Sequence, residues 1–209
     1  MDEQTDIRKQ VDILKNHNDN IADLQGTLLG LEAKIEFMEQ NARSCNIELC
    51  NIPERRDENL IALLENLGSK VNFKISEKDL VAIHRVPRAH QQNDKPKNII
   101  VKFTSKILRD NVLSACRLFK GLNAEALGFK NSTLPILVHE HLTLKNKQLC
   151  RESREAAARN NFKFVWVKNG TILAREKEGA RAFAIKSSHD VAKIKPASSL
   201  ISKSASPEN

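Results

Sequence analysis

Ten basic side chains carry the chemistry this sequence offers: Arg85, Arg88, Lys97, Lys102, Lys106, Arg109, Arg117, Lys147, Arg151 and Arg154. Acid is scarce around several of them. Residues 95–120 hold seven Lys and Arg against the single Asp110. Guanidinium and ammonium groups hold phosphates by charge and hydrogen bonding without reading base sequence. Lys147, Arg151 and Arg154 recur at i, i+4 and i+7, the spacing that places three residues on one helix face. Like charges on one stripe repel unless an anion is to be held there. The expected ligand is therefore a polyanion, and the commonest intracellular one is nucleic acid.

The charge distribution points the same way. The 209-residue chain carries +8 overall, but its first 45 residues hold five Lys and Arg against nine Asp and Glu, a net −4. Residues 46–195 hold 28 against 16, a net +12. A uniformly solubilised surface does not explain an acidic head on a basic body.

Other chemistries find little support. The sequence contains no G-x-S-x-G, Walker loop, H-E-x-x-H or C-x-x-C. Cys45, Cys50, His139 and His141 are the one group that the chain topology could bring together, and their spacing matches no usual zinc pattern. The expectation is a protein that is not an enzyme and needs no cofactor or metal. The four cysteines fit reduced thiols rather than a disulfide framework. No run of about 18 apolar residues is present to span a membrane. The opening MDEQTDIRKQ lacks a signal peptide's apolar stretch, so the expected location is intracellular and cytoplasmic, with the nucleus left open.

Four segments must position these groups. In residues 1–45, Ile7, Leu14, Ile21, Leu28, Ile35 and Ala42 repeat every seven residues, with Leu24, Leu31 and Met38 three positions after Ile21, Leu28 and Ile35. A sustained 3.5-residue period predicts a coiled coil through Ile7, Leu14, Ile21, Leu24, Leu28, Leu31, Ile35 and Met38. Gln10 and His17 weaken the first half of the seam, and the pattern leaves dimer and trimer both open.

Residues 46–141 read as strand (46–52), helix capped by Asp57 and ended by Gly68, strand (80–87), strand (98–105), helix capped by Thr104 or Ser105, and strand (134–142). That order is the split βαβ arrangement, used among basic proteins by RNA-recognition modules. Such a sheet usually stacks bases on aromatics. Here the first strand has none, and Phe103 in the third is expected in the core with Ile99 and Val101. Residues 142–195 predict a helix carrying the Lys147–Arg154 stripe, a hairpin turning at Asn169-Gly170, a short strand at 181–187 and a capped helical turn. Phe162, Phe164 and Trp166 share one face of the hairpin, expected to be its core side rather than a stacking platform. Residues 196–209 are Ser-rich and expected to be disordered.

Two resemblances follow from these segments. NIELCNIPE, IHRVP, PKNIIVKFTS and the CRESREAA helix resemble the central domain of LINE-type retrotransposon first-open-reading-frame proteins. That resemblance implies a trimeric single-strand nucleic-acid-binding protein with chaperone activity. By it, Arg85, Lys97, Lys102, Arg151 and Arg154 match positions that contact the nucleic-acid backbone, while Glu48 stands where that pattern has Arg. FVWVKNGTILAREKEGARAFAIKSSHDVAKI is similar to the baculovirus few-polyhedra (FP) family and its insect transposon relatives, which implies a role in virion envelopment and occlusion.

The sequence thus predicts an α+β chain: an N-terminal coiled coil (1–45), a split βαβ domain (46–141), a small helix-plus-hairpin domain (142–195) and a tail (196–209). Its expected function is self-associating, non-enzymatic binding of single-stranded RNA or DNA. The alternative is a structural adaptor acting through viral or host proteins.

Overall fold

A computed structural model describes residues 3–87, 96–129, 132 and 134–195. The expected tail at 196–209 lies outside the described residues, as does Arg88. The chain is α+β and separates into two compact units, one ending at Asn41 and the other beginning at Ala42.

The first unit is the helix α1, Glu3–Ala42, 40 residues long. At 1.5 Å per residue it extends for about 60 Å. Ile7, Leu14, Ile21, Leu24, Leu28, Leu31, Ile35 and Met38 are all more than half exposed along it. Gly26 and Gly30, at about 1 kcal/mol each in helix propensity, leave the helix unbroken.

In the second unit the elements run β1 (Asn46–Cys50), α2 (Leu60–Lys70), β2 (Leu80–Arg85), β3 (Ile99–Phe103), α3 (Lys106–Leu118) and β4 (Leu137–Glu140). The strands form an antiparallel sheet in the order β4-β1-β3-β2, which is the split βαβ topology. Alternation sorts the sheet into two faces. Ile47, Leu49, Ile99, Val101 and Phe103, each at most 1% exposed, turn toward Leu64 and Leu67 of α2 and Val112 and Leu113 of α3. Phe103 is thus in the core, as its phase with Ile99 and Val101 predicts. Glu48, Cys50, Ile100 and Lys102 take the opposite face.

Two local expectations are corrected. Asp57 does not cap α2. It occupies a turn with φ +56°, and Asn59 caps instead, its Oδ1 accepting from the Ala62 N–H at 3.0 Å. Gly68 does not end the helix either; it is buried inside the last turn, and Asn72, with φ +56°, makes the left-handed exit.

The chain then forms α4 (Leu144–Arg159), β5 (Phe164–Lys168), β6 (Thr171–Arg175), β7 (Phe183–Ile185) and α5 (Ser188–Val191). Thr143 caps α4 by accepting from the Asn146 N–H, and a Ser187/Asp190 capping box opens α5. Asn169 and Gly170, with φ +53° and +73°, make the tight turn in which both residues need positive φ. Leu149, Cys150, Ser153, Ala156 and Ala157 of α4 are buried, and the apolar ones pack with Ile172, Ala174 and Ile185 in a second core. Small residues on α4 allow this close approach. The Ser153 hydroxyl, fully buried, is satisfied by donating to the Leu149 carbonyl at 2.7 Å.

The hairpin faces are reversed from the expected ones. Val165 and Val167, opposite Ala174 and Ile172, face α4, whereas Phe164 and Trp166 pair with Arg175 and Leu173 on the other side. Of the aromatic stripe, Phe162 alone packs against the second core, edge-on to Phe183 with ring centroids 6.2 Å apart.

Candidate nucleic-acid interface

The stripe on α4 is where charge gathers. Its apolar and small residues turn inward to the second core, so the i, i+4, i+7 cations must turn outward. Lys147, Arg151 and Arg154 do so, and they border a cleft of about 740 Å³. Arg117, from the last turn of α3, joins them, and β4 and β5 add Val138, His139, Glu140, Val165, Trp166 and Val167 to the walls. Four of the ten sequence-predicted cations therefore share one cavity.

Three carboxylates line the same cleft and decide which cations are available. Glu48, on β1, is almost wholly buried. Its Oε1 accepts from Lys147 Nζ at 2.7 Å and from the Asn98 side-chain amide at 2.8 Å. Glu140 faces Arg109 and Glu155 lies 4.0 Å from Arg151. Arg117 and Arg154, both exposed, have no acidic partner among the described residues. Among the described residues the net result is two guanidinium groups without an ion-pair partner, with Lys147 held by Glu48 and Arg151 near Glu155 beside them.

His139 reports this field. It stands opposite Glu48 in the β1–β4 register. Burial, reinforced by the charges of Arg154, Arg117 and Lys147 against the opposing pull of Glu48, holds its imidazole below the ordinary value. Burial pushes the Cys50 thiol up to about 11, so it stays protonated at neutral pH. His141 Nδ1 lies 3.2 Å from the Asn46 amide nitrogen. Among the described residues no group of three or more His, Cys, Asp or Glu is placed to hold a metal ion.

The remaining predicted cations divide. Lys102 is exposed on the open sheet face, the same side as Glu48 and His139 by the register of β1 with β3 and β4. Lys106 is exposed at the start of α3, and Lys97 pairs with Glu54 at 3.6 Å. Two are corrected outright. Arg85 is a structural staple: its guanidinium bonds both oxygens of Glu58 and the carbonyls of Ile52, Pro53 and Lys97. Arg109 is 1% exposed and so is not a surface cation. Its Nη1 lies 3.2 Å from Glu140 and its Nε 3.1 Å from Asp110.

Sequence reasoning missed Glu140 and placed Trp166 on the core side of the hairpin. Pairing with Ile47 puts Glu140 on the core side of the sheet edge. There its carboxylate accepts from the Asn169 and Gly170 N–H groups at 3.1 and 2.7 Å while meeting Arg109. One buried anion thereby ties α3, β4 and the hairpin turn together, forming one end of the cleft. The lone acid in LPILVHEHL was the available signal.

Residues 143–195 match the family model described as Baculovirus FP protein domain 2. The match begins at the Thr143 cap of α4 and runs through the whole helix-and-hairpin unit, which supports the FP side of the resemblance. No curated protein matches the chain. Among the described residues no helix is long and apolar enough to cross a membrane.

Proposed function

We propose that this chain is a non-enzymatic protein that binds single-stranded nucleic acid through its phosphates and self-associates through α1. The observation that carries the reading is the convergence of Arg117, Lys147, Arg151 and Arg154 on one cleft, with Arg117 and Arg154 lacking acidic partners among the described residues. Groups of this kind, in a partly enclosed site, attract a polyanion and release its counterions when it binds. Lys102 is exposed on the same open face of the sheet as Glu48 and His139, which line the cleft. Cation-to-phosphate contacts carry little sequence preference.

The FP-domain match over residues 143–195 and the exposed apolar seam of α1 also favour a second reading, a structural adaptor that acts on viral or host proteins. Replacing Arg117 and Arg154 by Ala in the full chain separates the two. Each phosphate contact on a single strand contributes about −0.7 to the slope of log K against log salt. The double variant is expected to bind an oligonucleotide more weakly and with a slope shallower by about 1.4, while its thermal unfolding stays unchanged. Unchanged affinity and slope would remove the cleft from nucleic-acid binding and leave the adaptor.

A further inference from the structure

The hairpin of the second core has one face with no assigned work. Both α4 and α5 lie on its valine side, where Val165, Val167, Val191 and Ile194 pack together. The opposite face carries Phe164, Trp166, Leu173 and Arg175, all half-buried. Arg175 lies across the rings, its Cζ 4.4 Å from the Phe164 centroid and 5.9 Å from that of Trp166. The Arg175 Nε, shut away from solvent, has no hydrogen-bond partner among the described residues, so the aromatic faces are what hold this guanidinium. Trp166 also borders the cleft that Arg117, Arg151 and Arg154 line. A rigid strand beside a two-residue turn therefore presents a flat aromatic next to phosphate-binding cations.

We infer that Trp166 is a stacking platform for an unpaired nucleobase whose phosphates lie on Arg154 and Arg117. The inference rests on the nucleic-acid reading above and adds what the phosphate contacts lack, namely a reason to prefer single strands. A duplex keeps its base faces stacked internally, whereas a single strand offers them to an indole. Aromatic stacking tolerates any base, since every base has a π-face. An acidic peptide would satisfy the cations but leave the aromatic face unused. Arg175, over Phe164, is a positioning residue that holds the platform flat by cation–π contact.

The chain has one Trp and no Tyr, so its intrinsic fluorescence reports Trp166 directly. Full-length protein is titrated with a labelled single-stranded oligodeoxynucleotide, with an abasic strand of the same length, and with inorganic polyphosphate. Binding is read by anisotropy or by competition, and stacking by Trp quenching. The base-bearing strand is expected to quench and to bind about tenfold more tightly than the abasic one. Polyphosphate should compete without quenching. In Trp166→Ala the preference for the base-bearing strand should disappear, and in Trp166→Phe most of it should remain. Equal affinity for base-bearing and abasic strands with unquenched fluorescence overturns the stacking role while the phosphate reading survives. No binding of any strand overturns both. The wild-type titrations decide the matter even where Trp166→Ala does not fold.

Discussion

At the scale of single residues, the same side chain does opposite things according to its neighbours. Arg154 stands exposed with no ion-pair partner among the described residues, whereas Arg85 makes five hydrogen bonds that tie β2 to the segment before α2 and to the start of β3. Its removal would strand a half-buried Glu58 carboxylate and three carbonyl groups. Breaking a largely buried ion pair costs on the order of 3 kcal/mol, so Arg85→Ala should be clearly destabilised in urea unfolding at neutral pH. The Arg85 hydrogen bond holds the Glu58 carboxyl below the ordinary carboxylate range. A carboxyl with a depressed folded pKa contributes stability that is complete above its unfolded value and is lost as pH falls through the folded one. The gap between wild type and Arg85→Ala should therefore narrow in acid. A gap independent of pH would mean that Arg85 acts through its carbonyl contacts alone. Arg154→Ala, by contrast, should leave the unfolding midpoint where it is.

At the scale of elements, α2 shows how a correct outline can conceal a wrong reason. Gly68 near a helix end reads as the left-handed cap. In the structure that conformation belongs to Asn72, with the Phe73 N–H donating to the Gly68 carbonyl at 2.9 Å and the Asn72 N–H to Ser69 at 3.3 Å, the paired bonds of a Schellman ending. Gly68 is needed for space instead: a Cβ there would lie 2.5 Å from the Phe73 carbonyl oxygen and 3.0 Å from Ile75. Gly68→Ala should lose about 1–3 kcal/mol through overpacking, outweighing the gain of about 1 kcal/mol in helix propensity. Asn72→Gly should be neutral or stabilising, because glycine adopts φ +56° without strain. If thermal unfolding ranks the two variants the other way, Gly68 is the cap after all. The strand order, the Ser105 cap and the Asn169-Gly170 turn were legible because period-two alternation, capping chemistry and turn chemistry are local. The hairpin faces were not. Alternation says which residues share a side, but only tertiary packing says which side meets α4. Arg109 was illegible for the same reason, since its partner Glu140 sits 31 residues along the chain and faces inward through strand register. The Lys147–Arg151–Arg154 stripe could be read from spacing alone, whereas its meeting with Arg117 depends on how the sheet and the second core are joined.

At the scale of the whole molecule, the two units have unlike surfaces: an acidic helix with an apolar seam and a body with a net charge of +12 over residues 46–195. One cleft with two guanidinium groups that lack an ion-pair partner among the described residues is a weak site by itself, because contacts between exposed charges are screened by salt. Joining several such sites makes later contacts intramolecular and multiplies affinity without new chemistry. On the proposed self-association, the eight seam residues from Ile7 to Met38, all more than half exposed, supply the means, since covering an exposed apolar stripe stabilises the helix that carries it. Replacing Leu24 and Leu28 by Asp places charges in the middle of that seam while leaving the body untouched. Light scattering is expected to find the full chain as a dimer or trimer and the Leu24→Asp/Leu28→Asp variant as a monomer. Affinity for a long single strand should fall on the order of a hundredfold, and affinity for a strand short enough to occupy one cleft should change little. A full chain that is already monomeric, or a variant that loses short and long strands equally, would show that avidity through α1 is not how this protein holds its ligand.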